Sequence, residues 1–190
     1  MAVHLTRIYT KTGDDGTTAL GDMRRVPKTS PRIAAFADVD EANAAVGVAI
    51  ALGGLSEDVK AVLLRVQNDL FDVGADLCTP VVAEPEFPPL RVTDAYVTRL
   101  EGECDRWNER LEPLRSFVLP GGTAGSALLH VARTVVRRAE RLIWALLEAE
   151  PDTTNPTPAL YMNRLSDLLF ILCRVANDDG AVDVLWKPGG

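Results

Sequence analysis

Residues 56–77 read SEDVKAVLLRVQNDLFDVGADL. Val59, Leu63, Val66, Leu70, Val73 and Leu77 alternate spacings of four and three, the seam of a helix that buries one stripe in a bundle or coiled coil. Ser56, just ahead of them, carries the side-chain oxygen that satisfies free amides in a first helical turn. Working outward, residues 32–53 contain no proline and place Ile33, Phe36, Val39, Ala42 and Val46 on one helical face. Downstream, Thr93 is the expected cap of a third segment, in which Val97, Leu100, Cys104, Trp107 and Leu111 repeat the alternation despite Gly102. Residues 125–149 form a long helix-favouring run after Pro120-Gly121-Gly122-Thr123, with Leu128, Val131, Val135, Leu142 and Leu146 on or near one face. Residues 158–177 give a fifth helix through Tyr161, Leu165, Leu168, Leu172 and Val175. Five helices, with strand character only near the amino terminus, predict an all-α bundle closed by interlocking apolar seams.

The connections are equally legible. Proline and glycine gather at the amino end, at 79–92, at 119–125 and at 151–158, and the proline-rich 79–92 reads as a surface link. Small residues at Ala44, Ala45, Gly47, Ala49 and Ala51 permit close helix approach, inside the bundle in preference to a second copy.

With 190 residues the chain suits one domain spanning 1–190, here divided into an amino-terminal segment (1–30), a helical bundle (31–177) and a carboxyl-terminal tail (178–190). Lys and Arg number 20 against 27 Asp and Glu, a net charge of −7, which disfavours a general nucleic-acid partner. An anionic ligand must then meet a local basic cluster. Cys78, Cys104 and Cys173 are odd in number and lack a C-x-x-C pair, so neither a disulfide framework nor a zinc ribbon is expected. His4 and His130 are the only histidines, no H-E-x-x-H is present, and no side-chain metal site is expected. Met1 to Thr10 lacks the apolar centre of a leader peptide, and the uncharged run Ala44 to Leu55 is shorter than the roughly 20 residues of a membrane span. A cytoplasmic protein with no membrane partner is the expectation.

Two segments could bind a polyphosphate. Thr10-Lys11-Thr12-Gly13-Asp14-Asp15-Gly16-Thr17-Thr18 combines glycines, hydroxyls and a lysine, without the spacing of a Walker A loop or the full ligand set of an EF-hand. A polar surface turn and a nucleotide loop account for it equally well. Farther along, Arg133, Arg137, Glu140 and Arg141 fall on one helical stripe, from which guanidinium forks could converge on an anion while Glu140 orients one of them. A solvated face with i,i+4 pairing is the competing account. Arg138 lies off the stripe and reads as surface. Asp40, Glu41 and Asn43 on the first helix, and Asn163, Asp167 and Arg174 on one side of the fifth, could line a polar site between helices. Asp40 and Arg133 would suit a buried or interfacial salt bridge. Phe117, in FVLPGGT at 117–123, is either a core-packing residue at a helix entry or an apolar wall for a large ligand. His130 reads as a satisfied core or interface histidine.

Taken together, IYTKTGDDGTTALG at 8–21, VDEAN at 39–43, FVLPGGT at 117–123, LHVARTVVRRAER at 129–141 and NRLSD at 163–167 resemble the PduO-type ATP:cob(I)alamin (corrinoid) adenosyltransferases over nearly the whole chain. Ala42 departs from the larger aliphatic residue common in that family, a difference of packing. The resemblance implies a ferritin-like up-and-down five-helix bundle that assembles as a homotrimer with ATP between subunits. It implies that Thr10, Lys11, Thr12, Gly13, Thr18 and Lys28 of one subunit hold ATP together with Arg137, Glu140, Arg141 and Asn163 of its neighbour. It further implies an Arg133–Asp40 pair across the interface, and Phe117 beneath the corrin ring, keeping the lower ligand off cobalt.

The implied chemistry needs no protein nucleophile. Co(I) attacks C5′ of the ATP ribose and expels triphosphate, with Arg137, Lys11 and Mg²⁺ supplying positive charge. ATP and reduced cobalamin are the substrates, and an adenosylcobalamin-dependent mutase and a flavin or other reductant are the further partners such chemistry would use. Two readings compete with catalysis: a carrier that delivers adenosylcobalamin to a mutase, and a helical scaffold without ligand.

Overall fold

The computed structural model describes residues 9–190, so His4, Ile8 and the rest of the leader reading lie outside the described residues. Two short strands, β1 (Thr17–Ala19) and β2 (Arg25–Pro27), precede five helices: α1 (Pro31–Leu52), α2 (Glu57–Cys78), α3 (Asp94–Asn108), α4 (Ala124–Ala149) and α5 (Thr157–Ala176). Ser30, Ser56 and Thr123 each accept a hydrogen bond from a backbone N–H of the first turn of the helix they precede. Thr93 starts α3 without such a bond, and α3 stops at Asn108, leaving Leu111 outside the helix that its spacing suggested.

Side-chain pairs give the helix directions. Asn43 and Gln67 exchange hydrogen bonds with each other's backbone carbonyl, and Arg32 at the start of α1 reaches Leu77 O at the end of α2, so α1 and α2 run antiparallel. Tyr96 to Asp72 and Arg99 to Asp69 set α3 antiparallel to α2. Arg138 to Asp38, with Arg32 to Glu150, does the same for α4 against α1, and Asn163 to Glu140 with Thr123 to Ala176 for α5 against α4. The bundle is therefore up-down-up-down-up, with α1 packed on α2 and α4, and α5 on α4 and α3.

All six seam residues of α2 are buried, as are Tyr161, Leu165, Leu168 and Leu172 of α5. Burying a side chain of this size stabilises the fold by about 1.5–3 kcal/mol each. On α4 the buried line is Leu129, Ala132, Val136, Ala139, Ile143 and Leu146, one residue round from the predicted face, and Val131 is 55% exposed. The cause is that two of the six core positions are alanines, while larger apolar residues also occupy the outer side. Fully buried Ala35, Ala42 and Ala49 repeat every seven residues on α1, so the alanines that admit a neighbouring helix are these rather than exposed Ala44 and Ala51.

Buried charges tie the ends together. Arg32 donates to Leu77 O at 2.7 Å, Glu150 Oε2 at 2.7 Å, Thr153 O at 3.1 Å and Thr154 Oγ at 3.0 Å. Asp76 accepts from Arg91, from Val92 N at 2.7 Å and from Asn155 at 2.7 Å, pinning the proline-rich 79–92 link to α2 and the α4–α5 turn.

Candidate active site

The amino-terminal loop is built by a two-stranded hairpin. β1 and β2 pair antiparallel, with Thr18 opposite Val26, and Lys28 N donates to Gly16 O at 2.9 Å to close the turn. Asp15 accepts from Thr17 Oγ at 2.7 Å and Thr17 N at 2.9 Å, and these bonds hold its carboxyl below the usual range. The Arg25 guanidinium crosses the hairpin to the Thr12 carbonyl and the Thr17 hydroxyl. Thr10 and Thr12 share a hydroxyl hydrogen bond at 2.9 Å, and Lys11 takes a left-handed backbone with φ +62°. A Cβ at Gly13 would come within 3.1 Å of both Lys28 Nζ and Thr17 O, so a side chain there would crowd the lysine and the Thr17 carbonyl. Thr10, Lys11, Thr12, Gly13 and Lys28 thus share one exposed cradle, with Thr18 in the strand behind it. Gly21 N bonds to Cys78 O, and Leu20 is buried, which anchors the hairpin at the end of the bundle where α2 stops.

The arginine row is on α4. Arg137 and Arg141 are exposed and form no hydrogen bond or ion pair with any described residue. Glu140 accepts from Asn163 Nδ2 at 3.0 Å, joining α4 to α5; it orients an asparagine and not, as the stripe suggested, an arginine. Arg138 binds Asp38 at 2.7 Å and also Glu41, which makes it a strut between α4 and α1. Arg133 donates through Nε to His130 Nδ1 at 3.4 Å. Within one chain Arg133 and Asp40 do not pair: the antiparallel register sets Arg138 against this part of α1, and Arg133 is five residues, about 7.5 Å, farther along. Asp40 stands exposed at a groove of about 460 Å³ lined by Phe36, Leu70, Phe71 and Gly74. Of the polar residues expected on one side of α5, Asn163 and Asp167 are exposed, whereas Arg174 is buried and bonds Asp183 at 2.8 Å.

Phe117 is 78% exposed, which removes the core-packing account. Its ring meets that of Trp186 at 6.0 Å. The tail runs beside it as a short ladder: Leu119 N donates to Val184 O at 2.8 Å and Trp186 N to Phe117 O at 2.7 Å. Asn177 accepts from Thr123 N at 3.0 Å and donates to Asp183 at 2.9 Å. Gly122, at φ +95°, makes room for it, since a Cβ there would lie 2.3 Å from Asn177 Oδ1.

The sequence model of the cobalamin adenosyltransferase family matches residues 8–176. The chain belongs to that family. It is 64% identical over 190 residues to the corrinoid adenosyltransferase of Mycobacterium tuberculosis, covering all of this chain and 97% of that one. It is 41% identical over 174 residues to the corrinoid adenosyltransferase of Bacillus subtilis, covering 90% and 86%. A solved variant PduO-type ATP:corrinoid adenosyltransferase from Lactobacillus reuteri, complexed with cobalamin and ATP, superposes with a TM-score of 0.87 at 36% identity, over 95% of this chain and 99% of that one.

For a cobalamin adenosyltransferase, the placement of the two basic groups is informative. The hairpin adjoins the end of the bundle where α1 begins and α4 finishes, whereas Arg137 lies twelve residues, about 18 Å, from the last residue of α4. Among the described residues no hydrogen bond or ion pair joins the hairpin cradle to Arg133, Arg137, Glu140, Arg141 or Asn163. Sequence reasoning missed Arg25, whose role depends on the hairpin register, and Trp186, which lies beyond the family match in a stretch without periodicity.

Proposed function

We propose that the chain transfers the 5′-deoxyadenosyl group of ATP to the cobalt of cob(I)alamin, at sites formed between copies of a homotrimer. The relatives named above act on corrinoids, and the Lactobacillus structure holds both substrates together. The observation that carries the reading is the pair of open cationic groups. Lys11 and Lys28 in the cradle, and Arg137 and Arg141 on α4, have no partner among the described residues. Cations left open on two separated surfaces suit a polyphosphate gripped from both sides by neighbouring copies.

In this reading Thr10, Lys11, Thr12, Gly13, Thr18 and Lys28 receive the triphosphate through backbone amides, hydroxyls and charge. The left-handed Lys11 backbone is a local strain of the kind that gathers at ligand sites. Arg137 and Arg141, with Asn163 held in place by Glu140, approach from the adjoining copy, whose Arg133 pairs across the interface with Asp40 of the copy that supplies the cradle. Co(I) donates its electron pair to C5′, the C5′–O bond breaks, and the electrons leave on triphosphate. The arginines and lysines stabilise that leaving charge, and no protein proton moves. Phe117 walls the lower face of the corrin against water and a lower axial ligand.

Among the described residues no group of three or more His, Cys, Asp or Glu could hold a metal ion. A magnesium ion would therefore be carried by the phosphates and water, and no step is assigned to it. The reading calls for an external reductant, flavin or otherwise, and for an adenosylcobalamin-dependent enzyme such as a mutase to take the product. None of the three cysteines is paired, and no helix of the described residues is long and apolar enough to cross a membrane. A cytoplasmic location belongs to the same proposal.

The test is anaerobic incubation with cob(I)alamin and ATP. A cobalt–carbon bond with one triphosphate per turnover is expected, alongside trimers in sedimentation equilibrium. Binding of both substrates with neither product would overturn catalysis in favour of a carrier.

A further inference from the structure

His130 is the buried neighbour of the arginine row. It is 2% exposed on the inner face of α4, one turn before Arg133. Its Nδ1 accepts from Arg133 Nε, so the ring is neutral and its proton sits on Nε2. Among the described residues that buried Nε2 has no hydrogen-bond partner, nor has Ser126 Oγ one turn earlier on the same helix. Phe170 of α5 meets the imidazole edge-on at 6.3 Å. Holding Arg133 by Nε leaves both terminal nitrogens of the guanidinium without a partner among the described residues, and they form the fork that grips a carboxylate.

We propose that His130 is the positioning residue for Arg133, fixing its guanidinium plane so that the free fork faces out of α4, and that it does so only while neutral. This rests on the reading that Arg133 serves the site between copies. Protonation would remove the Nδ1 lone pair and set a second cation against the guanidinium. The charged groups acting on the ring are Arg133 on its own helix and Asp183 of the tail, the latter bonded to Arg174; Cys173 of α5 feels the same two charges, and burial pushes its thiol up to about 12 and so keeps it neutral. Burial and Arg133 hold the imidazole below its ordinary value, with Asp183 opposing them. Arg133 is therefore held at neutral pH and released on acidification.

The experiment pairs His130→Leu, which keeps bulk without an acceptor, with His130→Asn, which presents an amide oxygen near the Nδ1 position. On the trimer, His130→Leu should lower kcat/KM on the order of tenfold, and His130→Asn should restore most of it. The acid limb of the parental pH profile should vanish in His130→Asn. Independently of turnover, ¹⁵N spectra of histidine-labelled parent protein should show the Nε2–H tautomer, and the Arg133 Nε proton should shift as the ring titrates. A proton on Nδ1, or an Arg133 signal indifferent to the ring, overturns the contact whether or not the protein transfers adenosyl groups. The expected spectra with an unchanged pH profile in His130→Asn overturn the positioning role alone. If His130→Leu does not fold, the tautomer and the His130→Asn profile decide the matter.

Discussion

Two sets of arginines share this molecule and are used in opposite ways. Arg32 and Arg174 are buried, and Arg91 and Arg99 half-buried, each bonded to at least one carboxylate and several of them to backbone carbonyls as well. Arg137 and Arg141, on the open face of α4, are bonded to nothing among the described residues. A guanidinium has five N–H donors; the first set has committed some of them to carboxylates within the chain, and the second is open to an incoming anion. The contrast teaches that charge count does not mark a site. Whether the donors are already committed does.

The comparison breaks most easily at Arg32. Removing it strips Leu77 O, Glu150, Thr153 and Thr154 of a shared donor at the junction of α1, α2 and α4. Arg32→Ala should lower the unfolding free energy by about 3 kcal/mol, toward the lower end for a broken buried pair because Glu150 is partly hydrated. For a chain of this size that is a melting temperature lower by roughly 6–12 °C, while activity per folded molecule is retained. A melting curve unchanged from the parent would show that a committed arginine can be as dispensable as an open one.

Arg137→Ala is the mirror image. Removing a cation that faces the leaving triphosphate should lower kcat on the order of a hundredfold with no change in melting temperature, because the side chain has no partner to abandon. Equal losses of stability and turnover would move Arg137 into the structural set.

How far these roles could be read from the chain differs by element. The α2 seam was legible because all its core positions are large aliphatic residues at helical spacing. On α4 the seam was displaced because Ala132 and Ala139 carry little hydrophobic signal, while Val131 and Trp144 carry more and face outward. The candidate loop and the arginine row stood out as clusters of residue types suited to phosphate. Arg32, Arg25 and Trp186 did not, since a buried arginine, a cross-hairpin guanidinium and a tail tryptophan owe their positions to contacts between distant segments. His130 reads from the sequence as a satisfied core or interface histidine; it is buried, but among the described residues its Nε2 has no partner, which nothing local indicated.

Phe117 extends the contrast to an apolar side chain, exposed and with its ring set against that of Trp186. Phe117→Ala should leave the melting temperature and ATP affinity near the parent, because little buried area is lost. Formation of four-coordinate cob(II)alamin should fall, read by electron paramagnetic resonance with ATP present. Parental spectra would return Phe117 to an ordinary surface residue.

The smallest effect belongs to Arg138, which sits next to Arg137 in sequence and in the opposite camp. It is partly exposed and bonded to Asp38 and Glu41, and those hydrogen bonds raise its already high pKa, so it is a charged strut in contact with water. Exposed pairs of this kind are screened by salt and contribute little. Arg138→Ala should keep turnover within about twofold of the parent, with a melting temperature barely moved at low ionic strength and indistinguishable at high salt. Because the two residues differ by one position on the same helix, helix propensity and net charge change identically in both substitutions. A gap of tens-fold in turnover between them then reports only which guanidinium was uncommitted, and its absence would dissolve the distinction between the two sets.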